Sequence, residues 1–462
     1  MTNFSDFPDA LEQTLSALKD FFADRVKTGI SIREQFGRDE SFHQSYPPDC
    51  VIAVHNTKEV QQIVKICAEH QTPVIPWGQG TSLEGQVAAL KGGVCIDLSP
   101  MNKIIQVNTE DLDVVVEPGV TRRQLNEYLR DTGLFFPIDP GADASIGGMA
   151  STRASGTNAI RYGTMRENVL NITAVLANGE IIKTAHRARK SSAGYDLTRL
   201  FVGAEGTLGI ITELTVKLFG RPEAQSSAQC VFETVTDAVN TVIQTIQLGV
   251  PIARIELMDS LTVKAINAYS KLSLPEKPML IMAFHGSQAG VKEQAQTVQE
   301  LAKDNNGSEF EWTIDAGEQE KLWRARHDAA YAIKALRAGG QLWATDACVP
   351  ISRLAECIDE TQKDIQACGI ISPILGHVGD GNFHLCMLVD HSIESEVSNA
   401  EALHERMIKR AIDMDGTCTG EHGIGYGKRD FLRHELGNAV DVMASIKNAL
   451  DPKNIMNPGK VI

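Results

Sequence analysis

Three glycine-rich segments crowd the first half of the chain, and they limit its possible folds more than any other feature. They are Trp77-Gly78-Gln79-Gly80-Thr81-Ser82-Leu83-Glu84-Gly85, then Gly141 through Gly163, then Lys190 through Ile211 with its Gly203-Ala204-Glu205-Gly206 core. A dinucleotide fingerprint would need a third glycine where Leu83 stands, and a phosphate-binding P-loop would need a closing Gly-Lys-Ser/Thr. Neither is present. A glycine-rich turn can still aim several backbone N–H groups at a pyrophosphate, as a nest and not as a helix terminus. One such turn reads equally well as a tight inter-strand connection. Three of them, set among β-α-β units, call for a ligand.

The β-α-β reading comes from local pattern. Val51–His55 reads as a strand, and Asn56 with Glu59 forms a capping-box pattern. Val60, Ile63, Val64 and Cys67 recur at helical spacing, and Pro73–Pro76 begins the next strand. Val114–Val116 is a strand, after which Thr121 caps with Gln124, Leu125 and Leu129 face inward, and Gly133 stops the helix. Gly141–Gly163 is expected to form no regular element. Asn171–Leu176, Glu180–Lys183 and Leu208–Phe219 read as further strands. At Gly220–Ser227 the composition turns polar, a plausible domain boundary. Strand and helix candidates alternate beyond it, including a long helical segment Glu318–Leu336 and a helix capped by Ser352 that runs to about Ala367.

The second half carries the sharpest chemical signal, Gly376-His377-Val378-Gly379-Asp380-Gly381-Asn382-Phe383-His384. Asp380-Gly381 between apolar runs predicts a two-residue hairpin, which sets His377 opposite His384 on one face. Two imidazoles so placed can grip a divalent ion. A further ligand should be a carboxylate or imidazole, and Gly420-Glu421-His422-Gly423 offers both, pointing to opposite sides of an extended chain. Zn²⁺ or Mn²⁺, and also Fe²⁺, suit such a donor set. In Leu322–Asp328 a helix makes Trp323 and Arg326 neighbours, so the aromatic ring could hold the guanidinium.

Composition removes several classes. Lys and Arg total 44 against 59 Asp and Glu, a net charge of −15, so the surface has no overall footprint for nucleic acid. No apolar run is long enough to span a membrane. None of the nine cysteines forms C-x-x-C, and the scattered set reads as buried thiols in a reducing compartment. Met1–Phe22 has neither signal-peptide nor transit-peptide character. A cytoplasmic location is expected, with a peripheral membrane encounter left open.

From about Pro47 to Ile462 these residues resemble the flavoprotein D-2-hydroxy acid dehydrogenases, whose FAD-binding fold is of the vanillyl-alcohol-oxidase type. The resemblance implies an α+β fold: a two-subdomain FAD-binding domain, an α+β substrate (cap) domain, and a C-terminal segment returning to the flavin. The boundaries expected are 1–46 for an N-terminal helical segment, 47–223 for FAD binding, 224–420 for the cap, and 421–462 for the returning segment. It implies non-covalent FAD, since Gln79 and Thr81 stand where covalent relatives carry His or Cys. The FAD-binding residues would be Pro76, Gly78, Gln79, Gly80, Thr81, Ser82, Pro140, Gly141, Ala142, Gly147, Gly148, Ser151, Ser155, Gly156, Thr157, Gly206, Ile211 and Asn457. His377, His384 and Glu421 would hold the metal, His422 would be the catalytic base, Arg326 would grip the substrate carboxylate, and Asn382 would lie near the hydroxyl.

The reaction implied is oxidation of a small D-2-hydroxy acid, with D-lactate to pyruvate first and glycolate or D-2-hydroxyglutarate as alternatives. Ala344 stands where the 2-hydroxyglutarate branch has a lysine for a second carboxylate, which favours a monocarboxylate. An external acceptor (quinone, cytochrome or electron-transfer flavoprotein) must take the electrons. A flavin-free metallohydrolase built on the same histidines is the competing class.

Overall fold

The computed structural model describes residues 8–462, so the first part of the expected 1–46 segment and of the targeting reading lies outside the described residues. The chain divides into two compact units. The first comprises residues up to Ser155, Gly163–Arg221 and Glu421–Ile462, and the second Gly156–Tyr162 and Pro222–Gly420.

The first unit contains a parallel three-stranded sheet and an antiparallel five-stranded sheet. In the parallel sheet Val94–Asp97 lies between Cys50–Ala53 and Val74–Trp77. The parallel crossover is the helix Thr57–His70, capped as expected: the Asn56 side chain accepts from the Glu59 N–H at 3.1 Å. Its Val60, Ile63, Val64 and Cys67 are fully buried against the sheet. The five-stranded sheet runs Ile104–Asn108, Asp113–Val116, Ile210–Lys217, Val169–Val175, Ile181–Lys183. Thr121 caps the helix Arg122–Tyr128 through Gln124, and Leu125 and Leu129 are buried. The 141–163 stretch is more regular than expected: Ser145 caps a helix Ile146–Thr152, and Ala159–Tyr162 forms a further helical turn. Small residues that permit close approach also permit a short helix once its first N–H groups are capped.

Residues near the end of the chain are built into the first unit. Val74 N–H donates to Ile455 C=O at 2.7 Å and Asn457 N–H returns to Val74 C=O at 2.8 Å. Asn457 Nδ2 binds the carbonyls of Gln86 and Glu205, and buried Lys460 donates to Ala88 C=O.

The second unit is an antiparallel sheet in the order Ser308–Thr313, Ala224–Val231, Met279–Gly286, Ile252–Met258, Ile374–Gly376, Asn382–Val389, Gln341–Ala344, with Ala347–Cys348 also on Asn382–Val389. Three local expectations are corrected here. The long helical segment is two helices, Ala316–His327 and Ala329–Lys334, broken at Asp328. Ser352 caps nothing; it lies in a 3₁₀ turn, Ile351–Arg353, that leads into Leu354–Cys368. The two-residue hairpin is absent. Val378–Asp380 is a 3₁₀ turn closed by Gly381 at φ +77°, and the register sets Leu375, not His377, opposite His384.

Tertiary contact outweighs local turn preference in that hairpin. Val349 N–H donates to Gly381 C=O at 3.0 Å, and a Cβ on Gly381 would lie 2.0 Å from the Val349 oxygen. The connection must therefore reach Val349, which a tight turn cannot do.

Candidate active site

In the first unit the three glycine-rich segments converge. A Cβ on Gly78 would lie 2.5 Å from Ser145 Oγ, and one on Gly206 (φ +74°) 2.4 Å from Pro76 Cγ. The third segment also hydrogen-bonds the second: Gly203 N–H to Ala150 C=O and Glu205 N–H to Ser151 C=O, both 2.9 Å. Only glycine allows these approaches, and Gly80 at φ +67° turns the first segment. Among the described residues, no acceptor within the chain takes the N–H groups of Gln79, Gly80, Thr81 and Ser82. Consecutive N–H groups left without acceptors form an anion-binding concavity, so the segment fits a pyrophosphate. Pro140, Gly141 and Ala142 lie in the loop preceding the helix that carries Gly147, Gly148 and Ser151. Ser155 closes that stretch of the first unit, and Ile211 lies on the strand Ile210–Lys217. Gly156 and Thr157, expected to bind the same ligand, fall within the second unit.

Buried carboxylates near these loops escaped the sequence reading. Glu205 accepts the N–H groups of Ile424 (2.7 Å) and Gly425 (2.8 Å), and burial pushes its carboxyl up to about 7. Glu84 accepts from Lys428 Nζ at 3.0 Å, with His422 Nδ1 at 3.8 Å and His43 at 3.5 Å. Burial opposes ionisation of Glu84, but Lys428 and the two imidazoles outweigh it and hold the carboxyl well below its usual range. The His422 carbonyl is itself fixed by Gln86 Nε2 at 2.8 Å. The expected base is thus seated beside a fixed negative charge.

In the second unit His377 follows the strand Ile374–Gly376 and His384 is the third residue of Asn382–Val389. The register shift leaves them diagonal across one face, with ring centroids 5.4 Å apart and planes at 83°. His377 Nδ1 meets Glu256 Oε1 at 2.7 Å, and His384 Nδ1 meets Thr345 C=O at 2.9 Å. With both Nδ1 atoms engaged, Nε2 is the nitrogen each ring can offer an ion.

The end of this unit's chain is pinned nearby. Cys348 and Thr417 exchange backbone hydrogen bonds, Thr419 Oγ1 donates to Asp346 Oδ2 at 2.7 Å, and Gly420 packs so closely on Asn382 that a Cβ would lie 2.2 Å from Nδ2. Glu421 is the next residue. One donor atom each from His377, His384 and Glu421 lie within 4.8 Å of one another, a spacing that fits a single ion.

Arg326 is held differently from expectation. The cation over the Trp323 ring is Arg254, at 4.9 Å, because Arg254 comes from the facing strand whereas Arg326 turns toward Glu256. Arg326 Nη2 donates to Glu256 Oε2 at 2.6 Å, and its buried Nε has no acceptor among the described residues. Asn382 donates Nδ2 to Asp346 and to Ala347 C=O, while its buried Oδ1 accepts no hydrogen bond from the described residues. Ala344 pairs with Cys386 and brings no charge. Glu256 left one sequence trace, a lone acid in the apolar run Ile255-Glu256-Leu257-Met258.

Known families match both halves of the chain. Residues 48–185 match the family described as FAD binding domain, and residues 221–461 that described as FAD linked oxidases, C-terminal domain. Among solved structures, 4-ethylphenol oxidase from Gulosibacter chungangensis superimposes with a TM-score of 0.83 at 18% identity, covering 98% of this chain and 97% of that one. A p-cresol methylhydroxylase gives 0.81 at 20% identity, covering 99% and 97%. The chain is therefore an FAD-dependent oxidoreductase with the two-domain, mixed helix-and-sheet fold of the vanillyl-alcohol-oxidase type.

Closer relatives narrow this. The chain is 52% identical to a probable D-lactate dehydrogenase, mitochondrial, of Danio rerio, over 99% of this chain and 93% of that protein. It is 45% identical to the D-lactate dehydrogenase [cytochrome], mitochondrial, of Arabidopsis thaliana (99% and 81%), and 42% identical to D-lactate dehydrogenase [cytochrome] 1, mitochondrial, of Saccharomyces cerevisiae (92% and 75%). It belongs to the FAD-linked D-lactate dehydrogenase family. The mitochondrial relatives contradict the cytoplasmic location expected from composition, and that expectation is withdrawn. The flavin-free hydrolase falls with the family assignment. No helix of the described residues is long and apolar enough to cross a membrane.

Proposed function

We propose that the protein oxidises D-lactate to pyruvate with non-covalently held FAD and one divalent ion, and passes the electrons to a cytochrome-type acceptor. The observation that carries this is Arg326: a buried guanidinium with an unanswered Nε donor, tied through a shared carboxylate to one of the paired imidazoles.

FAD bound along Gly78–Ser82, Pro140–Ala142, Gly147–Ser151, Ser155–Thr157, Gly206, Ile211 and Asn457 would supply the hydride acceptor, its N5. An ion held by His377, His384 and Glu421 would supply Lewis acidity toward the 2-hydroxyl oxygen. The remaining work falls to side chains. Arg326 binds the carboxylate through its planar fork, which fixes the direction in which the C2 hydrogen points. His422 receives the hydroxyl proton on its ring, and anionic Glu84 beside Nδ1 favours the imidazolium so formed. Asn382 Oδ1, unsatisfied and buried, is the acceptor available to orient the hydroxyl. Hydride and proton together leave as two electrons and two protons, which balances hydroxy acid against 2-oxo acid. With no charge at Ala344, nothing there answers a second carboxylate.

The test is reduction of an artificial dye by D- and L-lactate, glycolate and D-2-hydroxyglutarate, before and after dialysis against EDTA. D-lactate should be fastest, and EDTA should abolish turnover while the yellow flavin stays bound. Preference for D-2-hydroxyglutarate, or indifference to EDTA, defeats the proposal. His422→Ala should lose reduction of the bound flavin by D-lactate.

A further inference from the structure

Glu256 sits mid-strand in Ile252–Met258 with no solvent exposure. A carboxylate removed from water costs several kcal/mol unless its charge and lone pairs are answered. Both of its oxygens are answered, by different elements. Oε1 meets His377 Nδ1 at 2.7 Å, from the turn after Ile374–Gly376, and Oε2 meets Arg326 Nη2 at 2.6 Å, from the helix Ala316–His327. One rigid group thus sets the rotation of two side chains that the proposed function employs for separate tasks.

The consequences differ at the two ends. A carboxylate on Nδ1 makes Nδ1 the protonated nitrogen, turns Nε2 outward as the ligating atom and raises its basicity. A carboxylate on one Nη edge holds the guanidinium plane so that the unanswered Nε edge is presented at a fixed angle. We infer that Glu256 is a positioning residue that aims both the metal ligand His377 and the carboxylate anchor Arg326. This inference rests on the proposed function, since it presupposes an ion at His377 and a substrate acid at Arg326.

The two donors meet different oxygens of Glu256, so a glutamine at this position sets an NH2 donor against one of them and satisfies only the other. The experiment measures Mn²⁺ affinity of the flavoprotein by chelator competition, and KM and kcat for D-lactate, in the wild type, Glu256→Gln and His384→Ala. Glu256→Gln should weaken Mn²⁺ roughly 10–100-fold, as loss of a carboxylate behind a ligating imidazole does, and raise KM at saturating Mn²⁺. Glu256→Asp keeps the charge at shorter reach and should shift both quantities in the same direction by less, which serves if the glutamine variant does not fold. Unchanged Mn²⁺ affinity in Glu256→Gln, with His384→Ala losing the ion, overturns the role of Glu256 alone. Wild-type protein that retains no Mn²⁺ overturns the metal centre, and this inference with it.

Discussion

Arg326 allows binding and stability to be separated in one pair of variants. Arg326→Ala removes the fork that would hold the substrate acid and also strips buried Glu256 of a cation. A charge-assisted hydrogen bond contributes about 1.5–3 kcal/mol net, so losing the anchor should raise KM for D-lactate roughly 10–200-fold. Breaking a buried ion pair on one side costs about 3–5 kcal/mol. For a unit of this size that corresponds to a Tm lower by roughly 6–20 °C. Arg326→Lys separates the two effects. An ammonium still faces Glu256, so most of the stability should remain, but it offers a point charge where the fork offered two parallel donors. Arg326→Lys should therefore show a Tm within a few degrees of wild type and a KM raised at least tenfold. Dye-linked steady-state kinetics and scanning calorimetry on the same preparations decide it. An Arg326→Lys enzyme with KM within twofold of wild type refutes carboxylate binding at this guanidinium.

Gly206→Ala forces a side chain into φ +74° with its Cβ 2.4 Å from Pro76, so the contact between the first and third glycine segments must open. The visible-to-ultraviolet absorbance ratio of purified protein should fall as FAD is lost; an unchanged ratio would remove Gly206 from the cofactor site. His285 is held neutral: burial first, then the cations Arg254 and Arg161, lower its pKa from 6.5 to about 3. The unfolded chain takes up a proton below about 6.5 that the native state refuses until about 3, so stability is lost as pH falls through that window. At 1.36 kcal/mol per unit the loss reaches about 4–5 kcal/mol. In His285→Gln, denaturant unfolding should show a flatter acid limb between those pH values, and an identical limb would contradict the assignment.

The part of the fold that follows from local patterning was legible in the chain. Asn56 with Glu59 and Thr121 with Gln124 are caps whose partners lie three residues on, so the sequence contains both halves of each interaction. The hairpin at Asp380-Gly381 misled because its geometry depends on Val349, more than thirty residues earlier. The imidazoles nevertheless met, because a register shift of two residues keeps a side chain on the same face. Trp323 and Arg326 show the opposite failure. Helical spacing identified them as neighbours, but the stacking partner came from Arg254 on another element. Glu84, Glu205, Glu256 and Lys428 were silent because a buried ionisable group is recognisable only once its partners are known, and those partners (for Glu205 the backbone N–H groups of Ile424 and Gly425, for the others an opposite charge) are distant in sequence.

The threading of Asn457 and Lys460 through the first unit imposes an order on biosynthesis. The early glycine segments lack a strand-like partner and two buried polar side chains until the ribosome has added roughly 370 further residues. At about 5–20 residues per second, those early segments wait tens of seconds for the residues that close them. Closure of the glycine segments is therefore a long-range event, set by side chains some 370 residues further along the chain than the carbonyls they bind.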